Sequence, residues 1–287
     1  MSEQQYLSVL KNATKGAIAY YVGNNEEDVK HLSNCTLICK PNFRPSLNKV
    51  DLIPSHDPQL DFYKLSEKYK KDYLENDKLK FIDGYYIHES AVIGKNVKIG
   101  KGSVIGKCTI HDNVTVHPNV VIYAKTEIKS DVIIEANTVV GAEGVMWVWD
   151  NNDRVYLHQL GGVIIEEHCR IGSNVTIVRG SANENTIIGE GTCMAHGTLI
   201  GHGCIIGKNN HFANNVSLGG GVKICNNCFF SSGVVLSAGV DIKKVVLVGA
   251  GGVLINDVKK GGVYIGVPAK WKKEYQGKMS GVPLKPQ

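Results

Sequence analysis

An apolar side chain returns every sixth residue over the second half of this chain. From Ile188 it recurs at Met194, Ile200, Ile206, Phe212, Leu218, Ile224, Phe230, Leu236, Ile242, Val248 and Leu254 without a missed step, and small or polar residues, often Gly, follow it. A helix repeats near 3.6 residues and a strand at 2, so neither makes a period of six. Three short strands bent into a triangular coil do, with one inward apolar side chain per face. The sequence therefore predicts a mainly β protein, a left-handed parallel β-helix. The same rhythm starts near Ile87, passes Ile93, Ile99 and Ile105, and slips by one residue to Ile110. It then holds through Val116, Ile122, Ile128, Ile134 and Val140. It breaks from Gly141 to about Gly162, resumes at Ile165, Ile171 and Ile177, and breaks again from Arg179 to Asn185. Loops that interrupt a solenoid commonly lie on its functional face. The first break carries Met146-Trp147-Val148-Trp149-Asp150-Asn151-Asn152-Asp153, expected to protrude as a loop that serves the site or packs on a neighbouring subunit.

Residues 1–80 lack the rhythm and read as a small α/β domain, followed by the β-helix over 81–262 and a carboxy-terminal cap and tail over 263–287. Glu26 to Leu32 reads as a short helix, and Thr36–Cys39 and Val50–Pro54 as strands. Asp57 is placed to cap a helix with Pro58 at its first position. That helix is expected to run through Leu60, Tyr63 and Leu65 towards Tyr73, with a polar linker at Glu75 to Lys78. After Leu254 the rhythm fades into Gly262 to Lys270 and a polar basic tail, and the tail should cap the last coil, whose open strand edges otherwise invite aggregation.

Composition narrows the function classes. Of 287 residues 43% are apolar but only 7% aromatic, as a narrow prism filled by Val and Ile requires, and 32 glycines suit tight corners. The net charge of +5 is too mild and diffuse to argue for nucleic acid. The start has no basic-then-apolar leader and no apolar run approaches a membrane span, so no membrane insertion is expected and a cytoplasmic location is. Eight cysteines then read as small buried residues in a reducing compartment. Cys225-x-x-Cys228 lacks a partner pair, so no metal site is expected there.

Three hexapeptides per coil stack residues 18 apart, roughly 4.8 Å apart along the axis. His202 therefore falls over Gly220, inside Gly219-Gly220-Gly221. A histidine beside an exposed backbone N–H offers a general base next to an oxyanion donor, which suits acyl transfer from a thioester. The bland alternative leaves His202 at a corner facing solvent. His196 lies on the adjacent face of the same coil. It is either a substrate contact made from a neighbouring chain or a surface histidine.

The segments Gln159-Leu160-Gly161-Gly162-Val163-Ile164-Ile165, Arg179-Gly180-Ser181, Asn185-Thr186-Ile187-Ile188-Gly189 and Ile200-Gly201-His202-Gly203-Cys204-Ile205-Ile206-Gly207 resemble, in order, the blocks of the UDP-3-O-acylglucosamine N-acyltransferases of lipid A synthesis. So do Leu10 to Tyr21 and Asp57-Pro58-Gln59-Leu60-Asp61-Phe62, which are similar to that family's nucleotide-binding domain. The likeness spans residue 7 to about 270. It implies that His202 is the catalytic base and Gly220 the oxyanion donor, and that Glu184 is an acidic catalytic residue, though a one-residue insertion blurs its register. It implies too that Tyr20 stacks on the nucleotide base with Asn24 nearby; Glu26 stands where the family has a second base-contacting Tyr. Two departures follow. The family's long helical carboxy terminus is missing, and Gly239 replaces its second active-site histidine. Gly266-Val267-Pro268-Ala269-Lys270 resembles instead the closing coil of hexapeptide acetyltransferases that use coenzyme A, which implies donor binding at Gly266, Ala269 and Lys270.

The expectation is an N-acyltransferase, a homotrimer, that moves a short acyl group from acyl-CoA (acetyl-CoA) to a nucleotide-linked amino sugar, for surface polysaccharide or glycoconjugate synthesis. Alternatives are the lipid A N-acyltransferase itself with acyl carrier protein, an O-acetyltransferase, a metalloenzyme like the γ-carbonic anhydrases, and a non-enzymatic scaffold. The spacing His196-x5-His202 is one residue longer than the carbonic anhydrase ligand pair.

Overall fold

The computed structural model describes residues 5–274. The chain divides into two compact units. One takes residues 5–71 with Glu143–Gly161 and Gly180–Glu184; the other comprises Asp72–Ala142, Gly162–Arg179 and residues 185–274. The first unit thus ends before residue 80 and gathers up both breaks in the hexapeptide rhythm.

The first unit is a four-stranded parallel sheet, Tyr6–Leu7, Ala17–Tyr21, Ser33–Cys39 and Asn48–Pro54, in sequence order. Both faces are covered, as parallel sheets require. Ala17, Ala19, Tyr21, Leu37 and Cys39 point to one face, where they pack with Val29, Leu32 and Phe43. Ile18 and Ile38 point to the other, against Phe62 and Tyr63 of the helix Pro58–Ser66. Asp57 caps that helix by accepting from the Leu60 N–H at 3.0 Å, with Pro58 at its start. The helix stops at Ser66 rather than running on to Tyr73: the Ser66 hydroxyl donates back to the Tyr63 carbonyl at 2.7 Å, and a single 3-10 turn follows. Glu26 to Leu32 likewise makes only a 3-10 turn over Glu26–Asp28. So short a run cannot meet the cost of helix nucleation, and its Asp28 is held by the Tyr21 hydroxyl. The tryptophan segment is not an irregular loop but an antiparallel hairpin, Trp147–Asp150 with Asp153–Tyr156. Its inner residues Met146, Val148, Val155 and Leu157 pack on Phe62 and Tyr63. Its outer side carries Trp147 and Trp149 with the Arg154 guanidinium over both rings.

The second unit is the solenoid. Its two-residue strands stack into three parallel faces, and partners lie 18 residues apart, as in Ile188↔Ile206 and Ile200↔Leu218. Across the slip the spacing drops to 17, as in Ile93↔Ile110. The inward residues form one continuous apolar core from Ile105 to Val258. Corners turn on a residue in the left-handed region, either Gly, as at Gly203 and Gly221, or Asn, as at Asn209 and Asn227. The solenoid opens on an antiparallel hairpin, Leu79–Ile82 with Tyr85–His88. It closes on another, Gly262–Gly266 with Ala269–Lys273. The expected linker at Glu75 to Lys78 holds a 3-10 turn, Asn76–Lys78, where Glu75 meets buried His88 at 2.8 Å. The tail past Glu274 lies outside the described residues.

Where the chain leaves and re-enters the coils, Arg179 is wholly buried. Its Nε donates to the Gly141 carbonyl at 2.7 Å, Nη2 to the Ala124 carbonyl at 3.0 Å, and the guanidinium lies 3.4 Å from the centre of the Tyr73 ring. This clamp ties the residues at which the two breaks begin, Gly141 and Arg179, to the Ala124 carbonyl.

One face differs from the other two. The outward side chains of its strands are Tyr86, Val104, Val121, Val139, Thr176, Leu199, Ser217, Val235 and Val253, with no charge among them. The corresponding columns of the other faces are broken by Glu127, Lys223 and Asp241, or by Lys98 and Arg170.

Candidate active site

Gly201-His202-Gly203-Cys204 forms the corner that leads off the uncharged face. The pairs Leu199↔Ser217 before it and Ile205↔Lys223 after it set His202 opposite Gly220 in the next coil. The contact is close. A methyl group on Gly220 would lie 2.2 Å from His202 Nε2, 2.5 Å from Cδ2 and 2.7 Å from Cε1. The imidazole therefore occupies the space that a side chain at 220 would fill. The Gly221 N–H donates to the His202 carbonyl at 2.7 Å, and the Gly239 N–H to the Gly220 carbonyl at 2.9 Å. The Gly220 N–H has no acceptor among the described residues. Inside the corner, the buried Thr186 hydroxyl accepts from the Gly203 N–H at 2.9 Å and donates to the Val178 carbonyl at 2.6 Å. The Cys204 thiol donates to the Gly219 carbonyl at 3.2 Å. Sequence reasoning passed over Thr186, although a polar residue in an inward position of a hexapeptide is a visible signal.

Two coils further along this corner lies a groove of about 430 Å³, lined by Ala238, Gly239, Val240, Ile255, Asn256, Asp257 and Lys259. Gly221 and Gly239 border open space, with nothing within 4 Å of where a methyl group would stand.

His196 sits on the corner at the opposite edge of the uncharged face, and it is exposed. Its Nδ1 accepts from the Ser173 N–H at 2.9 Å, which leaves the proton on Nε2. In the closing hairpin Gly266 pairs with Ala269, and Lys270 is exposed beside them. The Trp271 Nε1–H donates to the Gly261 carbonyl at 3.1 Å while Lys260 Nζ lies 3.7 Å from the centre of its ring.

The other residues singled out belong to the first unit. Tyr20 is half-buried with its ring tilted against Phe62, centroids 4.9 Å apart. Burial, with Tyr63 beside it, pushes its hydroxyl up to about 12. Asn24 is exposed just past the end of the same strand. Tyr21 is committed to the fold, its ring on Phe43 and its hydroxyl donating to Asp28 at 2.7 Å. Glu184 accepts from the Ser181 N–H at 3.1 Å and pairs with Lys11 at 3.0 Å; its side chain is 8% exposed. Among the described residues no three of His, Cys, Asp and Glu gather as they would around a metal ion. No helix among them is long and apolar enough to cross a membrane.

Residues 107–142 match the family described as bacterial transferase hexapeptide (six repeats), and residues 162–181 the hexapeptide repeat of succinyl-transferase. No match was found among curated proteins. Solved structures are similar over about two thirds of the chain. One is LpxA, a UDP-N-acetylglucosamine acyltransferase of Bacteroides fragilis, 24% identical over 67% of this chain and 74% of that one, with a TM-score of 0.60. Another is the UDP-N-acetylglucosamine acyltransferase of Francisella novicida, 25% identical over 66% and 67%, TM-score 0.60. LpxA of Acinetobacter baumannii is 26% identical over 66% and 71%, TM-score 0.59. The repeats, the three-faced parallel coil and these neighbours together show the fold, a left-handed parallel β-helix with segments similar to transferase hexapeptide repeats.

Proposed function

We propose that this protein is an acyltransferase that moves a short acyl group from a coenzyme A thioester to the amino group of a nucleotide-linked sugar, with His202 as general base. The observation that carries the reading is the contact between the His202 imidazole and Gly220, whose N–H has no acceptor among the described residues. In the proposed reaction the amine attacks the thioester carbonyl carbon and His202 takes the amine proton. The Gly220 N–H holds the oxygen as it becomes anionic. The tetrahedral intermediate then collapses, the C–S bond breaks, and the imidazolium proton passes to the departing thiolate. Amide and free thiol are the products.

The open corner beyond Gly220, running to Asp257 and Lys259, offers space for the extended arm of the donor. Gly266, Ala269 and Lys270 are assigned to the donor's phosphate-bearing end, Lys270 as a point charge. Tyr20 and Asn24 are assigned to the nucleotide base. Glu184 enters as an acidic catalytic residue on the sequence resemblance alone. The uncharged outward column is the surface a threefold assembly would bury. Its two bordering corners carry His202 and His196, so that closing such a ring brings the His202 corner of one protomer towards the His196 edge of the next. That suits His196 as a substrate contact made across the interface.

A second reading replaces the amine by a hydroxyl. The solved neighbours at 25–26% identity include a UDP-N-acetylglucosamine acyltransferase, and a sugar whose nitrogen already carries an acetyl group accepts through oxygen. One experiment tests both. Amino-sugar and N-acetylated sugar nucleotides carrying uridine, deoxythymidine or guanosine are screened for free thiol released from acetyl-CoA. Release with a free amine and a product stable to mild alkali support N-acylation. An alkali-labile product means the ester, and no release with any acceptor removes the acetyltransferase reading.

A further inference from the structure

The corner opposite the uncharged face holds Cys225-Asn226-Asn227-Cys228, between the strands Lys223–Ile224 and Phe229–Phe230. Asn227 turns it in the left-handed region at φ 62°. The two sulfurs stand 3.7 Å apart, and all eight cysteines are free thiols. Asn210 of the preceding coil fixes this spacing from below: its Oδ1 accepts from the Cys228 N–H at 2.8 Å, and its Nδ2 donates to the Cys225 carbonyl at 3.0 Å. A bond would need the sulfurs to close to about 2.05 Å, a movement within reach of side-chain rotation and slight adjustment of a four-residue turn. The two thiols are not equivalent. Cys228 is buried in the core, while Cys225 is half-exposed at the corner.

We propose that Cys225 and Cys228 are a redox-active dithiol that closes to an intrachain disulfide by exchange with a low-molecular-weight disulfide such as oxidised glutathione. Cys225 attacks as thiolate. One sulfur of the small disulfide bonds to it and the other leaves as thiolate, which takes a proton from water. The Cys228 sulfur then attacks Cys225 Sγ, loses its proton to solvent, and expels the second small thiol. Two protein thiols are oxidised and one small disulfide is reduced to two thiols. The order of attack follows from the environment. The Cys228 thiol donates to Cys225 and holds it down to about 7, with Lys244 adding to this and burial and Asp241 opposing it. The same pairing, with burial, pushes Cys228 up. Burial raises Cys193, the other half-exposed cysteine, so Cys225 has the greater thiolate character near neutrality. The corner also stays open in an assembly that buries the uncharged face.

The test uses the full-length protein with oxidised glutathione at pH 7, alkylation of remaining thiols, and trypsin. The peptide Ile224–Lys243 holds Cys225 and Cys228 and no other cysteine. In the wild type it should appear unalkylated and lighter by two hydrogens, formed at least about tenfold faster than any adduct on Cys193. Cys228→Ser should instead accumulate a glutathione adduct on Cys225, and Cys225→Ser should leave the peptide fully alkylated. Serine is the nearest change in shape at both positions, and circular dichroism checks the fold. The proposal is overturned if Cys193 reacts first, if the wild type yields no intrapeptide disulfide, or if Cys228→Ser traps no adduct.

Discussion

Replacing Gly220 by alanine is the sharpest perturbation the geometry suggests. The new methyl group would stand 2.2–2.7 Å from three atoms of the His202 ring, where ordinary contacts begin near 3.4 Å. The ring is the movable partner and must retreat by roughly 1 Å or leave its rotamer; a misplacement of that size costs about 10²-fold in turnover. The backbone at Gly220 is not in the left-handed region, so alanine fits it and the melting temperature should barely move. Gly221→Ala is the matched control. Gly221 sits at φ 70° with nothing within 4 Å of the added methyl. That variant should therefore lose about 1–2 kcal/mol of stability and keep its turnover. Thiol release under saturating acceptor and a thermal melt on each variant separate the two. Wild-type turnover in Gly220→Ala, or lost turnover in a folded Gly221→Ala, would refute the placement of His202 over Gly220 as the catalytic arrangement.

Three further outcomes follow from the same structure. Tyr20→Ala should raise the Michaelis constant for the sugar nucleotide by about 5- to 150-fold, the equivalent of roughly 1–3 kcal/mol of base stacking; an unchanged constant puts the base elsewhere. Leu199→Glu sets a charge in the middle of the uncharged face, where Leu199 is 49% exposed, and should convert a trimer to monomers by light scattering at micromolar concentration. A monomeric wild type would end the assembly reading. Tyr20 keeps its proton in the folded chain to about 12 against an ordinary 10. Its contribution to stability is therefore intact below pH 10 and lost as pH rises from 10 to 12; Tyr20→Phe should flatten that part of an alkaline unfolding curve, and an unaltered curve would show the hydroxyl to be solvated.

The solenoid was legible because its period is unique to it: a six-residue rhythm has one structural solution, and even the one-residue slip at Ile110 reappears as a coil of 17 residues. The 18-residue stacking alone sets His202 over Gly220, where the structure has it. What was harder to read lay where the rhythm stops. Trp147 and Trp149 alternate with Met146 and Val148 as a strand should, but one strand of a hairpin stays ambiguous until its partner Asp153–Tyr156 is recognised. Nor does local sequence say that Glu143–Gly161 packs on Phe62 and Tyr63, because that contact joins residues about ninety positions apart. Arg179 was visible as part of a motif, yet its burial rests on the Gly141 and Ala124 carbonyls and the Tyr73 ring, partners far away in sequence. Helix length misled for a simpler reason: a backbone-bonding Ser66 ends the helix while the charged residues after it still favour continuation.

The most direct measurement compares turnover of His202→Asn with that of His196→Ala, in proteins shown to keep the fold and assembly of the wild type. General-base catalysis is worth about 10²–10⁴-fold. His202→Asn should therefore lose that much in the rate of thiol release with little change in the Michaelis constants. His196→Ala, an exposed residue whose Nδ1 is already engaged by the Ser173 N–H, should lose far less. Near-full turnover in correctly folded His202→Asn would contradict the assignment of the base and transfer that role to Glu184 or to the substrate itself.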